Sequence, residues 1–245
     1  MSNAPTLFIS DLHLDASRPD TTALFFDFLA RRARTAAALY ILGDLFEAWI
    51  GDDDDAAPGP EVAAALRALV DAGVPVRFLH GNRDFLLGAR FAAAAGLELL
   101  PETVTIDLYG TPVLLLHGDT LCTDDVDYQA FRAQVRNPAW QARMLALPLA
   151  QRRALAGQLR ETSRTATQGK AESITDVNPD AVEQALRAHR TAQMIHGHTH
   201  RPAVHQGSLD GQPMRRAVLG DWYAHGSVLC CDAQGWRLEE LHADT

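Results

Sequence analysis

Short apolar runs punctuate this chain, and five of them stop at a tight group of polar residues. Phe8-Ile9 runs into Ser10-Asp11-Leu12-His13, Tyr40-Ile41-Leu42 into Gly43-Asp44, and Phe78-Leu79 into His80-Gly81-Asn82-Arg83-Asp84. Leu114-Leu115-Leu116 runs into His117-Gly118-Asp119, and Met194-Ile195 into His196-Gly197-His198-Thr199-His200. Apolar runs of this length bounded by turn residues read as buried strands. The spacing predicts strands over Thr6–Ile9, Ala38–Leu42, Val74–Leu79, Thr103–Leu108 and Pro112–Leu116.

Helical spacing separates these runs. Leu24, Phe25, Phe28 and Leu29 share one side of a stretch from Thr21 to about Arg34. Pro60 near a first turn and Gly73 just past an end bracket a second helix. A short helix near Leu87–Ala95 ends at Gly96. Asn178 can cap a helix that has Pro179 at its first position and ends near Arg190. The tail reads as antiparallel pairs: Ala203–Gln206 with Met214–Leu219 across a turn near Asp210-Gly211, then Ser227–Asp232 with Trp236–Leu241. Strands alternating with helices, followed by antiparallel strands, predict an α/β fold of two packed sheets flanked by helices.

Residues 123–171 break the rhythm. They hold no good strand and read as two or three short helices, broken at Asn137-Pro138 and at Pro148. Phe131, Val135, Trp140, Met144, Leu145 and Leu147 make the segment apolar. From Tyr128 to Lys170 it is also basic: Arg132, Arg136, Arg143, Arg152, Arg153, Arg160, Arg164 and Lys170 face a single acid, Glu161. Such a segment suits an anionic lipid surface or a phosphorylated substrate. The acidic run Asp52–Asp55 is expected to be a solvated loop.

A strand that ends at a turn delivers its last polar side chains to the sheet edge, where α/β proteins bind ligands. Here those residues are Asp, His and Asn, donors suited to hard or borderline divalent cations. Asp11 and His13 stand two apart, as do His198 and His200, so in extended chain each pair points one way. Asp44, Asn82 and His117 add one donor each. Seven side chains exceed the needs of one ion and fit two if a carboxylate bridges; Asp44, alone on its turn, is the natural bridge. Paired divalent ions clamp and polarise a phosphoryl group.

Composition narrows the setting. With 245 residues, 47% hydrophobic and 22% charged, the chain fits one full-sized globular domain or a domain carrying an insertion. No apolar run is long enough to span a bilayer. Met1 to Thr6 lacks a basic region and an apolar core, so no secretory signal is expected. Cys122, Cys230 and Cys231 give no paired framework, which suits a reducing cytoplasm. A net charge of −9 argues against general nucleic-acid binding.

The order Asp-x-His, Gly-Asp, Gly-Asn, His-Gly-Asp, Gly-His-x-His resembles that of the calcineurin-like metallophosphoesterases. Longer words resemble one branch of them, the pyrophosphatases that cleave UDP-2,3-diacylglucosamine in lipid A synthesis: Ser10 to Leu14, Leu42 to Asp53, Gly81 to Gly88 and His117 to Asp125. Arg83 stands where the wider superfamily has His after Gly-Asn, as it does in that branch.

The resemblance implies a four-layer α/β/β/α sandwich of two packed mixed sheets, a single domain over 1–245 with a helical lid over 123–171. It implies one ion held by Asp11, His13, Asp44 and His200 and another by Asp44, Asn82, His117 and His198, with Mn²⁺ favoured. Hydroxide on the metals would attack the α-phosphorus, releasing UMP and 2,3-diacylglucosamine 1-phosphate. Asp44, Asn82, Arg83 and His117 carry the catalytic role in that pattern, with Arg83 as a fixed guanidinium fork for phosphoryl oxygens. Asn82, Arg83, His198, Asp125, Tyr128, Arg160, Ser163 and Lys170 match substrate-contact positions, and Thr167 stands where the pattern often has Asn. A cytoplasmic monomer lying peripherally on the inner membrane is expected, with no nucleic-acid partner. Rival readings are a phosphodiesterase for soluble nucleotides or nucleotide-sugars, a metal-free scaffold, and a nuclease. The intact seven-residue set disfavours the scaffold, and the acidic balance disfavours the nuclease.

Overall fold

The apolar runs are strands in the computed structural model, which describes residues 4–167 and 172–242. Strands β1 (Thr6–Ile9), β2 (Ala38–Ile41), β3 (Val76–Phe78) and β4 (Glu98–Leu99) run parallel to one another. Strand β10 (Gly226–Asp232) pairs antiparallel with β1, and β11 (Gly235–Leu241) pairs antiparallel with β10, giving a six-stranded sheet in the order β11-β10-β1-β2-β3-β4. The second sheet has the order β5-β6-β7-β9-β8, built from β5 (Thr103–Leu108), β6 (Thr111–Leu116), β7 (Gln193–His196), β8 (Ala203–Leu209) and β9 (Gln212–Val218). Its centre, β6-β7-β9, is parallel and its edges are antiparallel. Both sheets are mixed.

Strand alternation builds the layers. In β1, Leu7 and Ile9 point to one cluster, which also takes in Phe25 and Phe28 of helix α1 (Pro19–Arg31), Val62 and Leu66 of α2 (Gly59–Asp71) and Phe91 of α3 (Ala89–Ala95). Phe8, between them, points the other way and joins Tyr40, Val113, Leu115, Ile195 and Leu229 between the two sheets. Leu114 and Leu116 of β6 turn outward to meet Val182 and Leu186, which lie on the last helix, Pro179–Ala188. Helices, sheet, sheet, helix: the four-layer sandwich is formed. The last helix begins as expected, with the Asn178 carboxamide oxygen accepting from the Asp180 and Ala181 amides. The two-residue β4 was not foreseen, because so short a segment has no period to read.

The segment that broke the strand–helix rhythm is helical and breaks where the prolines stand. It gives α4 (Val126–Val135), α5 (Pro138–Leu145), α6 (Leu149–Thr167) and the short α7 (Glu172–Thr175), so the Pro179–Ala188 helix is α8. Asp125 caps α4 by accepting from the Tyr128 amide at 3.1 Å, and Asn137 caps α5 by accepting from Ala139 at 2.9 Å.

The Asp52–Asp55 run is a loop with Asp53 and Asp55 exposed, as expected, but three of its carboxylates also act as a clamp. Asp52 accepts from the Gly88, Arg90 and Phe91 amides at the start of α3 and from Trp49 Nε1. Asp53 holds the buried Arg152 guanidinium at 2.7 Å and Asp54 holds Arg153 at 2.6 Å, seating α6. Four residues of the basic face are likewise tied to acids, while Arg143 and Arg160 stay exposed or partly exposed. Arg132 is bound to Asp119 and Glu102, and Arg136 to Glu102 and the Gly81 carbonyl. A run of like charge on one segment was met by acids distant in sequence, which composition alone could not reveal.

Candidate metal centre

The five strand ends meet at one edge of the two sheets. β1, β2 and β3 bring Asp11, His13, Asp44 and Asn82 from one sheet, and β6 and β7 bring His117, His198 and His200 from the other. The route is not the one the spacing suggested. Asp11, His13, Asp44, His198 and His200 all lie past their strands with left-handed backbone, φ between 49° and 71°. Extended-chain alternation therefore does not align these pairs; successive tight turns do. Glycines make the turns close enough. A Cβ on Gly81 would strike the Asp44 carboxylate, and one on Gly197 would strike Ser10 and Asp11.

Asp11, His13 and His200 form one group able to hold an ion, and Asp11, Asp44 and His117 a second. Asp44 Oδ2 stands 3.8 Å from His13 Nε2 and 3.6 Å from His117 Nε2, between the two halves. Its other oxygen accepts from the Arg83 amide at 2.8 Å. Asn82 Oδ1 lies 2.9 Å from both His117 Nε2 and His198 Nδ1, which brings those residues to the second half. Thus all seven sequence-predicted donors converge.

The arrangement holds more lone pairs than protons, which is the chemistry of a cation site. His13 Nε2 and His200 Nε2 face each other at 3.3 Å, and Asp11 Oδ1 is buried without a hydrogen-bond partner. Burial pushes the Asp11 carboxyl up, yet the imidazoles around it, His200 foremost, hold it well below the usual carboxylate range. Burial lowers His117, but Asp44 and Asp11 outweigh it and raise the imidazole to about 9. His198 goes the other way, to about 4, through burial and the neighbouring His117. Divalent ions with oxygen and imidazole ligands fit this set.

Supporting groups fix the donors. Ser10 Oγ donates to Asp11 Oδ2 at 2.5 Å and the His198 amide donates to the same oxygen at 2.9 Å, leaving Oδ1 for the site. His117 Nδ1 donates to the Leu42 carbonyl at 2.8 Å, which leaves Nε2 with its lone pair. Buried Asp84 accepts from the Leu45 and Gly81 amides, tying the second and third turns together. It does not pair with Arg83, whose Nε is buried without a partner. His80 bonds the Leu87 carbonyl, and His196 stands between the Gly197 carbonyl and Arg216; neither is among the converging donors. Sequence reasoning gave Ser10, Asp119, Glu47 and Tyr223 no role. Asp119 accepts from Tyr128 Oη at 3.0 Å and Arg132 Nε at 2.7 Å. For Ser10, Glu47 and Asp119 the signal was adjacency to a motif, which marks position and not contact; Tyr223 had no such signal.

Beside this centre opens a cavity of about 330 Å³. Asn82 and Arg83 line it together with Glu47, Asp127, Arg132 and Arg136, while Trp49, Ile50, Phe85, Phe131, Val135, Trp140, Met144 and Leu159 supply its apolar wall. Asp125, Tyr128 and Arg160 also line it. Ser163 and Thr167 fall on α6, but their side chains, like Lys170 as a whole, lie outside the described residues. Leu147 packs against the core and does not line the cavity.

The family model for calcineurin-like phosphoesterase matches residues 4–202, and the chain belongs to that family. Relatives at high identity narrow this. UDP-2,3-diacylglucosamine hydrolase of Stenotrophomonas maltophilia is 56% identical over 96% of this chain and 98% of its own. The proteins of that name from Serratia proteamaculans and Cellvibrio japonicus are 55% and 56% identical, over 95% of this chain and 97% of theirs. Within the phosphoesterases, the chain falls among the UDP-2,3-diacylglucosamine hydrolases.

Proposed function

We propose that this protein hydrolyses the diphosphate of UDP-2,3-diacylglucosamine to UMP and 2,3-diacylglucosamine 1-phosphate, a step of lipid A synthesis. The observation that carries the reading is the cavity with a broad apolar wall that Asn82 and Arg83 also line, next to the converging donors. A diacylated phosphosugar needs just such a slot for its chains beside a cationic, metal-lined head site. Helices α4 to α6 serve as the lid of the notional 123–171 insertion within one domain, with their apolar residues turned to the chains.

Asp11, His13, Asp44 and His200 hold one divalent ion, and Asp44, Asn82, His117 and His198 the other, with Mn²⁺ the preferred metal. Bound there, two divalent ions supply a clamp for phosphoryl oxygens and make hydroxide available near neutral pH. Asn82 is a neutral donor, so the site does not accumulate enough negative charge to repel a diphosphate. Arg83 places its guanidinium beside the phosphoryl oxygens, and its unpartnered buried Nε supports that role. Asp125, Tyr128 and Arg160, with Ser163, Thr167 and Lys170, serve the phosphosugar. Tyr128 acts by packing on His198, at 5.8 Å between centroids, because its hydroxyl is committed to Asp119.

The protein works as a monomer at the cytoplasmic face of the inner membrane, where its substrate resides. No described helix is long and apolar enough to cross a membrane. Contact is peripheral, and the exposed Val126, Phe131, Leu145 and Leu155 of α4 to α6 support it better than the basic residues do.

The direct test is UMP release from UDP-2,3-diacylglucosamine with and without Mn²⁺. Mn²⁺-dependent release of one UMP per substrate is expected; no release in either condition overturns the reading. Arg83→Lys is expected to stay folded and metal-loaded but to lose about 10²-fold in turnover, since a point charge cannot replace a fork. Near-normal turnover would assign Arg83 to turn scaffolding.

A further inference from the structure

The apolar cavity accounts for one half of a UDP-linked lipid and leaves the nucleotide half without a place. Cleavage at a diphosphate puts the reacting phosphorus over the donors, with the two halves of the substrate on opposite sides. Asn82 and Arg83 belong to the cavity side. The half made by Asp11, His13 and His200 does not line the cavity, although Glu47, 3.1 Å from His13 Nδ1, does, and this half carries a feature the mechanism does not use.

Tyr223 stands there, 54% exposed, the second most exposed large hydrophobic among the described residues. It follows Trp222, which is buried against Phe25 and Phe28, so the ring rests on an anchored backbone. Its ring is stacked on His13, with centroids 5.5 Å apart and planes within 13°, and His200 meets it edge-on at 5.7 Å. The Arg18 guanidinium lies 4.8 Å from the ring centroid. Arg18 donates to the His13 carbonyl and approaches Glu47 at 3.6 Å, but its Nη1 is buried without a hydrogen-bond partner. Asp221 sits on the far side of His200, with 3.6 Å between Oδ2 and Nδ1. An exposed aromatic ring, a guanidinium and a carboxylate thus border the donors, next to Glu47 at the cavity wall. None of the three lines that cavity.

From this we infer that Tyr223 and Arg18 form the subsite for the nucleoside monophosphate half of the substrate, with the Tyr223 ring as the platform for the base. Aromatic side chains bind bases through their faces, and guanidinium planes extend such platforms. The Arg18 guanidinium over the ring adds positive charge beside the base, and Asp221 supplies an acceptor for ribose hydroxyls. The subsite rests on the diphosphate reading above and adds where the uridylyl group lies.

The test compares the two products as ligands of the Mn²⁺-loaded enzyme. For Tyr223→Ala, the inhibition constant of UMP is expected to rise about ten-fold or more, the usual scale for loss of one base stack. The inhibition constant of 2,3-diacylglucosamine 1-phosphate should stay within two-fold, and bound Mn²⁺ should be unchanged. Tyr223→Phe keeps the platform and should bind UMP like the parent. Arg18→Gln should weaken UMP selectively too. Unchanged UMP inhibition in Tyr223→Ala, or equal weakening of both products, overturns the subsite. If the parent enzyme releases no UMP from the lipid substrate, the diphosphate reading fails first, and that failure is distinct from a flat response to Tyr223→Ala in an active parent.

Discussion

Asp44→Ala is expected to abolish turnover, by at least ~10³-fold on the scale seen when one charge-stabilising group is lost, and to lower metal content at both positions. The reason is its place. One carboxylate oxygen is taken by the Arg83 amide, and the other faces His13 and His117 at 3.8 and 3.6 Å. Removing it separates the two halves of the site and leaves two imidazoles without their shared counter-charge. It also frees the Arg83 amide and loosens the turn that positions the guanidinium. His117→Ala is the informative comparison, because it should strip the ion near Asn82 and His198 while sparing the one at Asp11 and His13. Metal analysis after gel filtration distinguishes the two patterns. Two tightly held ions per chain in Asp44→Ala would sink the bridging role.

The second large effect concerns the cavity. A diacyl substrate should be preferred over UDP-N-acetylglucosamine by several orders of magnitude in kcat/KM, since each buried methylene is worth about 0.8 kcal/mol. Part of that energy is used to hold the diphosphate over the metals, so the soluble sugar should show a lower kcat as well as a higher KM. Trp140 lines the cavity and packs near Phe85, at 6.2 Å between centroids, away from the donors. Trp140→Asp should therefore weaken use of the lipid substrate and leave metal loading and hydrolysis of a small phosphodiester largely intact. Leu147→Asp tests something else, the seating of the helices on the core. Equal efficiency with UDP-N-acetylglucosamine would hand the site to a soluble nucleotide-sugar phosphodiesterase.

Much of this was legible because strand ends leave a local mark. Leu114 to Leu116 followed by His117-Gly118-Asp119 states a strand, a stop and a donor in six letters, and the structure places all three. The breaks at Asn137-Pro138 and Pro148 were legible for the same reason, since proline acts on its own backbone. What was not legible depends on partners far along the chain. Asp53 is exposed as expected, but its bond to Arg152, ninety-nine residues away, could not be read locally. Tyr223 has no motif around it, and only the fold stacks it on His13. The pairing of Asp11 with His13 was read correctly for an incorrect reason, because the turns are left-handed and not extended.

Those left-handed turns restrict what evolution or engineering can exchange. Outside glycine, such backbone is tolerated best by Asp, Asn and His, and a β-branched or bulky residue is strained there by roughly 1–3 kcal/mol. The five donor positions in this conformation are Asp, His, Asp, His and His. Each of these residues thus answers two demands, its donor atom and the conformation it must accept. Swapping Asp11 for Glu keeps an oxygen ligand and still asks a longer chain to start from a turn built for a short one. Metal preference in this protein is accordingly harder to retune through its ligands than through the residues that only touch them.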